Sequence, residues 1–192
     1  YNSFVIGESP TAIQFIMLDT RSYRDSHWIP SIGGTKWIPL SALFAAGIRL
    51  VYTTLGYGLQ HTGEVLGEKQ WVWLENILKQ STQSADFHVI VSSIQVFTTN
   101  PIVESWNHYP AAKNRLMKLL SKYNPSGLVF LSGDIHAAEL STSTPIFSSS
   151  SSSTSSTTEE ESGKKLQWVE VTSSGMTHTC RDSFITKPIC PL

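Results

Sequence analysis

The residues best suited to chemistry are Asp134 and His136, two positions apart within the segment 127–140, GLVFLSGDIHAAEL. A carboxylate oxygen and a ring nitrogen make a normal ligand pair for a divalent or trivalent metal, and Gly133 lets the backbone turn sharply and come close to an ion. The same spacing also serves a buried, hydrogen-bonded Asp–His pair, and these residues alone leave both readings open. A second set occupies 19–25, DTRSYRD. There Asp19 can orient Arg21 through a bidentate pair, so that Arg21 or Arg24 holds a phosphate-like oxyanion, a task that suits guanidinium geometry; the alternative is a structural ion pair tying strand to loop. His178 closes a run of small polar residues at 172–178, and Trp106, Asn107 and His108 belong to a loop, VESWNHY, that either lines a pocket or forms an exposed turn. His27 and His61 are loop histidines, expected at the surface. His88 lies inside an apolar run and is expected to be a hydrogen-bonded core residue.

Positioning these groups requires a sheet. The apolar run 127–131, ended by Ser132 and Gly133, has the pattern of a strand covered on both faces. That places Asp134 just past a strand's carboxyl end, where α/β sheets bind ligands. Runs at 13–18, 87–91 and 166–171 predict three more strands, the second of which delivers Ser92, Ser93, Ile94 and Gln95 to the same crevice if it lies parallel to its neighbour. The clearest helix spans 67–80, with Trp71, Leu74 and Leu78 on one stripe, Glu68 at the positive end and Glu75 with Lys79 as an i,i+4 pair. A second helix begins at Pro110, in the first helical position; Ala112, Leu116, Leu119, Leu120 and Tyr123 make its stripe, and Asn124-Pro125 stops it. Between 28 and 63 the periodicity fails and only 40–46 predicts a short helix; Trp28, Trp37, Tyr52 and Tyr57 argue for a packed excursion rather than a linker. The order β, excursion, α, β, α, β is that of a mostly parallel α/β sheet with right-handed crossovers.

The 192 residues suffice for one domain with a sizeable core. Fourteen Lys and Arg against fifteen Asp and Glu leave a net charge of -1, no excess that would point to nucleic acid or an anionic membrane surface as a partner. No apolar run approaches the roughly 18 residues of a spanning helix, and none resembles the apolar core of a signal peptide. Residues 141–165 differ in kind: an unbroken Ser/Thr tract at 148–158 is followed by Glu159, Glu160 and Glu161. Such a segment buries too little surface to offset its ordering entropy and is expected to be a disordered, tolerated insertion. Cys180 and Cys190, the only cysteines, either close a small disulfide or are reduced thiols. The disulfide reading, which we favour, implies an oxidising compartment and hence a secreted or lumenal setting. The chain opens at Tyr1, without methionine and in strand-like sequence, so it is expected to be part of a larger polypeptide with any targeting signal outside it.

Six stretches stand in register with one family: FIMLDTRSYRD (15–25), LGEKQWVWLENIL (66–78), VIVSSIQVF (89–97), ESWNHYP (104–110), LVFLSGDIHAAEL (128–140) and VEVTSSGMTH (169–178). Together they resemble the PhoD-like alkaline phosphatases (alkaline phosphatase D) of the metallophosphoesterase superfamily, over most of the chain outside the Ser-rich insertion. The resemblance implies a four-layer α/β/β/α sandwich that hydrolyses phosphate esters, whether monoester, diester or phospholipid, at a metal centre in the crevice at the strand ends. It makes Asp134 and His136 metal ligands and puts Asp19, Arg21 and Tyr23 near the site. Arg21, Tyr23 and Trp106 are substrate-binding candidates, and Arg21 joins Asp134 and His136 as a catalytic candidate able to stabilise charge on the non-bridging oxygens. Asp19 and His178, the latter as a possible ligand, are further site candidates. Iron with calcium is the implied metal content, and the ligand types would also accept zinc or manganese. The superfamily's ligand histidine after the preceding strand is replaced by Ser92-Ser93-Ile94, which also looks like the PhoD-like variant. The family's other ligands lie upstream of the DTR block, in aspartate-rich segments that this chain does not contain, and residues 1–7 look like the hairpin just before that block. Residues 1–192 are thus expected to form an incomplete sandwich without its N-terminal half. Two functions follow: a metal-dependent phosphomonoesterase or phosphodiesterase using metal-activated water, or a non-catalytic remnant or pseudoenzyme of the same fold.

Overall fold

The computed structural model describes residues 1–26, 41–58, 60–81, 85–135, 137–144 and 167–174. Its centre is a six-stranded sheet in the order β1-β2-β3-β4-β6-β5, built from β1 (Asn2–Ile6), β2 (Ile13–Met17), β3 (Phe87–Val91), β4 (Leu128–Ser132), β5 (Ala138–Ser143) and β6 (Trp168–Ser173). The inner strands β2, β3, β4 and β6 are parallel, and β1 and β5 pair antiparallel at the two edges. Ile16, Ile90, Phe130 and Glu170 lie side by side across the four parallel strands. All four therefore finish level, and whatever follows them gathers along one rim.

Two helices cover one face of this sheet. In α2 (Glu68–Ser81) the stripe Trp71, Leu74 and Leu78 is fully buried. In α3 (Pro110–Tyr123) proline opens the first turn, and Asn124 ends the helix in the left-handed conformation, its N–H bonded to the Leu120 carbonyl. Ala112, Leu116, Met117 and Leu120 are the buried residues of α3, joining Ile16, Ile90, Phe130 and Trp168 in one core. On the outside, Arg115 grips Glu68 with two bonds of 2.7 and 2.8 Å while lying 4.7 Å over the Trp71 ring, and Lys122 and Tyr123 both bond Glu75. Exposed pairs of this kind add little stability but fix how two helices align.

The other face is where the second cover expected of these strands would lie. Among the described residues nothing lies over it, although its rows are apolar: Phe4, Phe15, Val89, Val129 and Val169 in one, Met17, Val91, Leu131, Val171 and Leu140 in the next. Phe4, Met17, Leu131, Leu140 and Val171 are all exposed. An apolar face of this extent is what one sheet offers to another in a sandwich. Among the described residues the fold is α/β, with one helix layer on one sheet.

Two elements differ from the sequence reading. The helix expected over 40–46 is the longer α1 (Ser41–Thr54), hard to delimit because it has no acid in its first turn and no base in its last. Ser141, Thr142 and Ser143, expected to belong to the insertion, are instead part of β5 and pair with Glu170, Val169 and Trp168. A polar edge strand lacks the alternation by which strands are found. Residues 145–166 lie outside those described.

Candidate active site

The rim at the carboxyl ends of the parallel strands carries the candidate groups. Asp134 follows β4 by two residues, is exposed, and has a φ of 77°, a conformation that costs most L-residues about 1–2 kcal/mol and that aspartate tolerates better than most. Beside it Gly133 sits where a side chain would come within 3.8 Å of the Ser93 carbonyl oxygen and 4.0 Å of the Ser173 carbonyl oxygen. Three strand ends converge there. The corner after β2 lies on the far side of β3 from Gly133, so the two are separated by two strand spacings, roughly 10 Å.

That corner is built differently from the expected Asp19–Arg21 ion pair. The Asp19 carboxylate accepts the backbone N–H groups of Arg21 at 3.0 Å and Ser22 at 2.9 Å, closing a turn of its own. Bonding to Ser22, from its side chain and its backbone N–H, and then to the Arg21 N–H lowers the Asp19 carboxyl to about 2. The Thr20 hydroxyl is bonded to the Ser93 hydroxyl, and the Asp19 backbone is held from below by Gln70. Arg21 and Tyr23 are exposed on the resulting loop. Arg24 is paired with Glu104, which also reaches Arg49 at 3.8 Å, leaving Arg21 as the guanidinium presented without an acidic partner within ion-pair distance among the described residues.

Beneath the rim runs a buried polar belt. Ser132 and Thr172 share a 2.8 Å hydrogen bond, and Gln95 donates to Thr172 at 3.0 Å and to Glu139 at 2.9 Å. Glu170, fully buried in β6, accepts the backbone N–H groups of Val96 and Phe97 with its two oxygens, each at 2.7 Å. These bonds clamp the loop that follows β3, and with it the Ser93 carbonyl facing Gly133.

Other candidates take different places. Trp106 is fully buried, edge-on to Trp71, with its indole N–H on the Ser92 hydroxyl at 3.1 Å; it is a core residue, neither an exposed turn nor a wall of the rim. His108, beside it, is buried with Nδ1 accepting the Ser105 N–H. His61 is buried, not at the surface: Nδ1 accepts the Gly63 N–H at 3.0 Å, which leaves Nε2–H to donate to the Ser26 carbonyl at 3.2 Å. His88 is buried as expected, its Nδ1–H bonding the Ser126 carbonyl at 2.8 Å. His136, His178, His27, Trp28, Trp37, Cys180 and Cys190 lie outside the described residues.

For a metal, the described residues supply an exposed carboxylate, Asp134, at the end of β4. They contain no group of three or more His, Cys, Asp or Glu side chains able to hold an ion. Asp134 fits as one oxygen ligand of a centre whose other members lie beyond the described set.

The sequence reading placed Gln95 at the crevice but passed over Gln70 and Glu170. Each had a signal: Gln70 interrupts the stripe Leu66, Leu74, Leu78 at steps of four, and Glu170 stands on the inward alternation Trp168, Glu170, Thr172. A polar residue at a core position has partners to be sought.

A model of the PhoD-like phosphatases matches residues 1–182. Over 103 residues the chain is 32% identical to alkaline phosphatase D of Bacillus subtilis (strain 168), covering 44% of this chain and 17% of that protein. A solved structure described as "Structure of PhoD" is similar with a TM-score of 0.53 and 23% identity, covering 91% of this chain and 29% of that one; at that identity the likeness speaks to the fold. The matched regions thus span 17% and 29% of these two relatives.

Proposed function

Because the chain belongs to the PhoD-like phosphatase family, we propose that it forms the rim of a metal-dependent phosphoesterase site whose substrate is a phosphate monoester, diester or phospholipid headgroup. The observation that carries this reading is an exposed guanidinium, Arg21, and an exposed carboxylate, Asp134, on the same rim at the ends of β2 and β4, with Ser93 after the intervening β3 bonded to Thr20 on one side and facing Gly133 on the other. Asp134 and His136 would hold the metal, iron with calcium by analogy with the family, or zinc or manganese by ligand type. The ion would lower the pKa of a bound water so that hydroxide is present near neutral pH. Arg21 binds the non-bridging phosphoryl oxygens and offsets the charge that builds on them during attack. Tyr23, two residues on, would flank the same phosphoryl group, and His178, which follows β6 in the sequence, is a further candidate for the site. The fixed corner at Asp19 matters because a guanidinium carried on a preformed turn has less to reorganise when charge develops.

The test is hydrolysis of p-nitrophenyl phosphate and bis-(p-nitrophenyl) phosphate by the whole protein, with and without chelator and with Arg21→Ala. The proposal expects activity on at least one ester, its loss on chelation, and a fall of about 10²-fold or more in kcat/KM for Arg21→Ala. Absence of activity towards both, with metal supplied, would favour the non-catalytic reading.

A further inference from the structure

The buried amide of Gln70 does more than fill a place on α2. Its Oε1 accepts the Asp19 backbone N–H at 2.9 Å, and its Nε2 donates to the Asp19 carbonyl at 2.9 Å and to the Leu66 carbonyl at 3.1 Å. The side chain is 1% exposed and all its bonding capacity towards Asp19 is used. Turning the amide over would set an oxygen against two carbonyls, so the partners fix its orientation. In effect Gln70 pairs with one residue of the chain as a neighbouring strand would, at the point where β2 has ended and no ladder continues. One turn earlier, Gly67 at φ 72° lies against the Tyr23 side chain, where an added Cβ would meet the Tyr23 Cβ at 3.0 Å and Cγ at 3.1 Å. The start of α2 therefore touches the loop 19–23 at both ends.

A core position filled by leucine would serve packing equally well at lower risk, since a buried amide that loses a partner is costly. Beyond its bond to the Leu66 carbonyl within the approach to α2, what glutamine adds here is the shape of the Asp19 corner. We propose that Gln70 is a positioning residue: it fixes the Asp19 backbone, whose carboxylate closes the turn that aims the Arg21 guanidinium at the substrate's phosphoryl oxygens. This rests on the reading of Arg21 given above. Arg21 acts on the ligand, and Gln70 acts only through it.

A double-mutant cycle on the whole protein separates the two claims. Gln70→Met keeps the volume and removes the bonds; it is combined with Arg21→Ala, and kcat and KM for p-nitrophenyl phosphate are measured together with the dissociation constant for inorganic phosphate. The inference expects Gln70→Met to weaken phosphate binding and kcat/KM about tenfold in the presence of Arg21 and less than twofold in its absence. Equal losses in both backgrounds, or no loss in either, would overturn it. If Arg21→Ala itself changes neither quantity, the reading of Arg21 fails instead. Amide exchange then still decides the structural half: Arg21 and Ser22 must exchange at least tenfold faster in Gln70→Met while Ile90 is unchanged, and unaltered protection would refute the clamp.

Discussion

Glu170→Gln is the substitution that most sharply tests how the rim is supported. The wild-type carboxylate is fully buried and each oxygen receives one backbone N–H, from Val96 and from Phe97, at 2.7 Å. Glutamine has the same shape but one oxygen only, so an amide N–H must point at one of those backbone N–H groups. The change removes one charge-assisted bond and strands a buried donor; with each term about 1.5–3 kcal/mol and the two overlapping, the expected loss is about 3 kcal/mol. Burial pushes the Lys113 ammonium pKa down and the Glu170 charge opposes that, so the variant also moves Lys113 further down. Urea unfolding is the assay: the midpoint falls and the slope does not, because the surface exposed on unfolding is the same. Amide exchange at Val96 and Phe97 rises above that of the surrounding core. A loss below about 1 kcal/mol, or unchanged protection at those two amides, would mean that the carboxylate does not organise the loop after β3.

Three further outcomes follow from the same geometry. The Asp19 carboxyl is held at about 2 against an ordinary 3.8, so its contribution to stability is fully present above the unfolded value and is lost as pH falls towards 2; Asp19→Asn flattens this part of the acid limb in pH-dependent unfolding, whereas an unchanged limb would show that the turn is not formed. Gly63→Ala would put a Cβ 2.0 Å from the His61 ring, and forcing that ring off both its hydrogen bonds should cost about 2 kcal/mol or more by thermal unfolding. Ser143 pairs with Trp168, so deleting 145–166 and changing Thr144 and Gln167 to Asn-Gly leaves a two-residue hairpin at the rim's opposite end; the shorter loop should raise stability by about 2 kcal/mol and leave ester hydrolysis within twofold of the parent.

The parts of the fold that were legible are those with strong periodic signals. Helix α2 announced itself by Trp71, Leu74 and Leu78, and α3 by Pro110 and Asn124 at its ends. The inner strands were readable because each carries an apolar, β-branched run with few polar interruptions. That same feature hid their true setting, since an uninterrupted run cannot say whether the second cover belongs to the chain or lies elsewhere. Strand β5 was missed because AELSTS is a polar edge whose partner, β6, is distant in sequence. In the site, residue types were legible and connections were not. Asp19 and Arg21 were picked out, but whether a carboxylate bonds a guanidinium or the backbone N–H two residues on depends on the turn that the chain makes. His61 was misplaced because a loop position says nothing of Tyr109, whose ring meets it edge-on at 5.3 Å from helix α3's amino end.

Asp134→Asn tests most directly whether Asp134 is a ligand of a metal centre that hydrolyses phosphate esters. Asparagine tolerates the φ of 77° as aspartate does, so the backbone should keep its shape and the thermal midpoint should stay within a degree or two. Elemental analysis and p-nitrophenyl phosphate hydrolysis, measured together on the purified whole protein beside His136→Ala, should then show metal content reduced and kcat/KM down by about 10²-fold or more in both variants. Full metal content with kcat/KM within twofold of the parent would contradict the account.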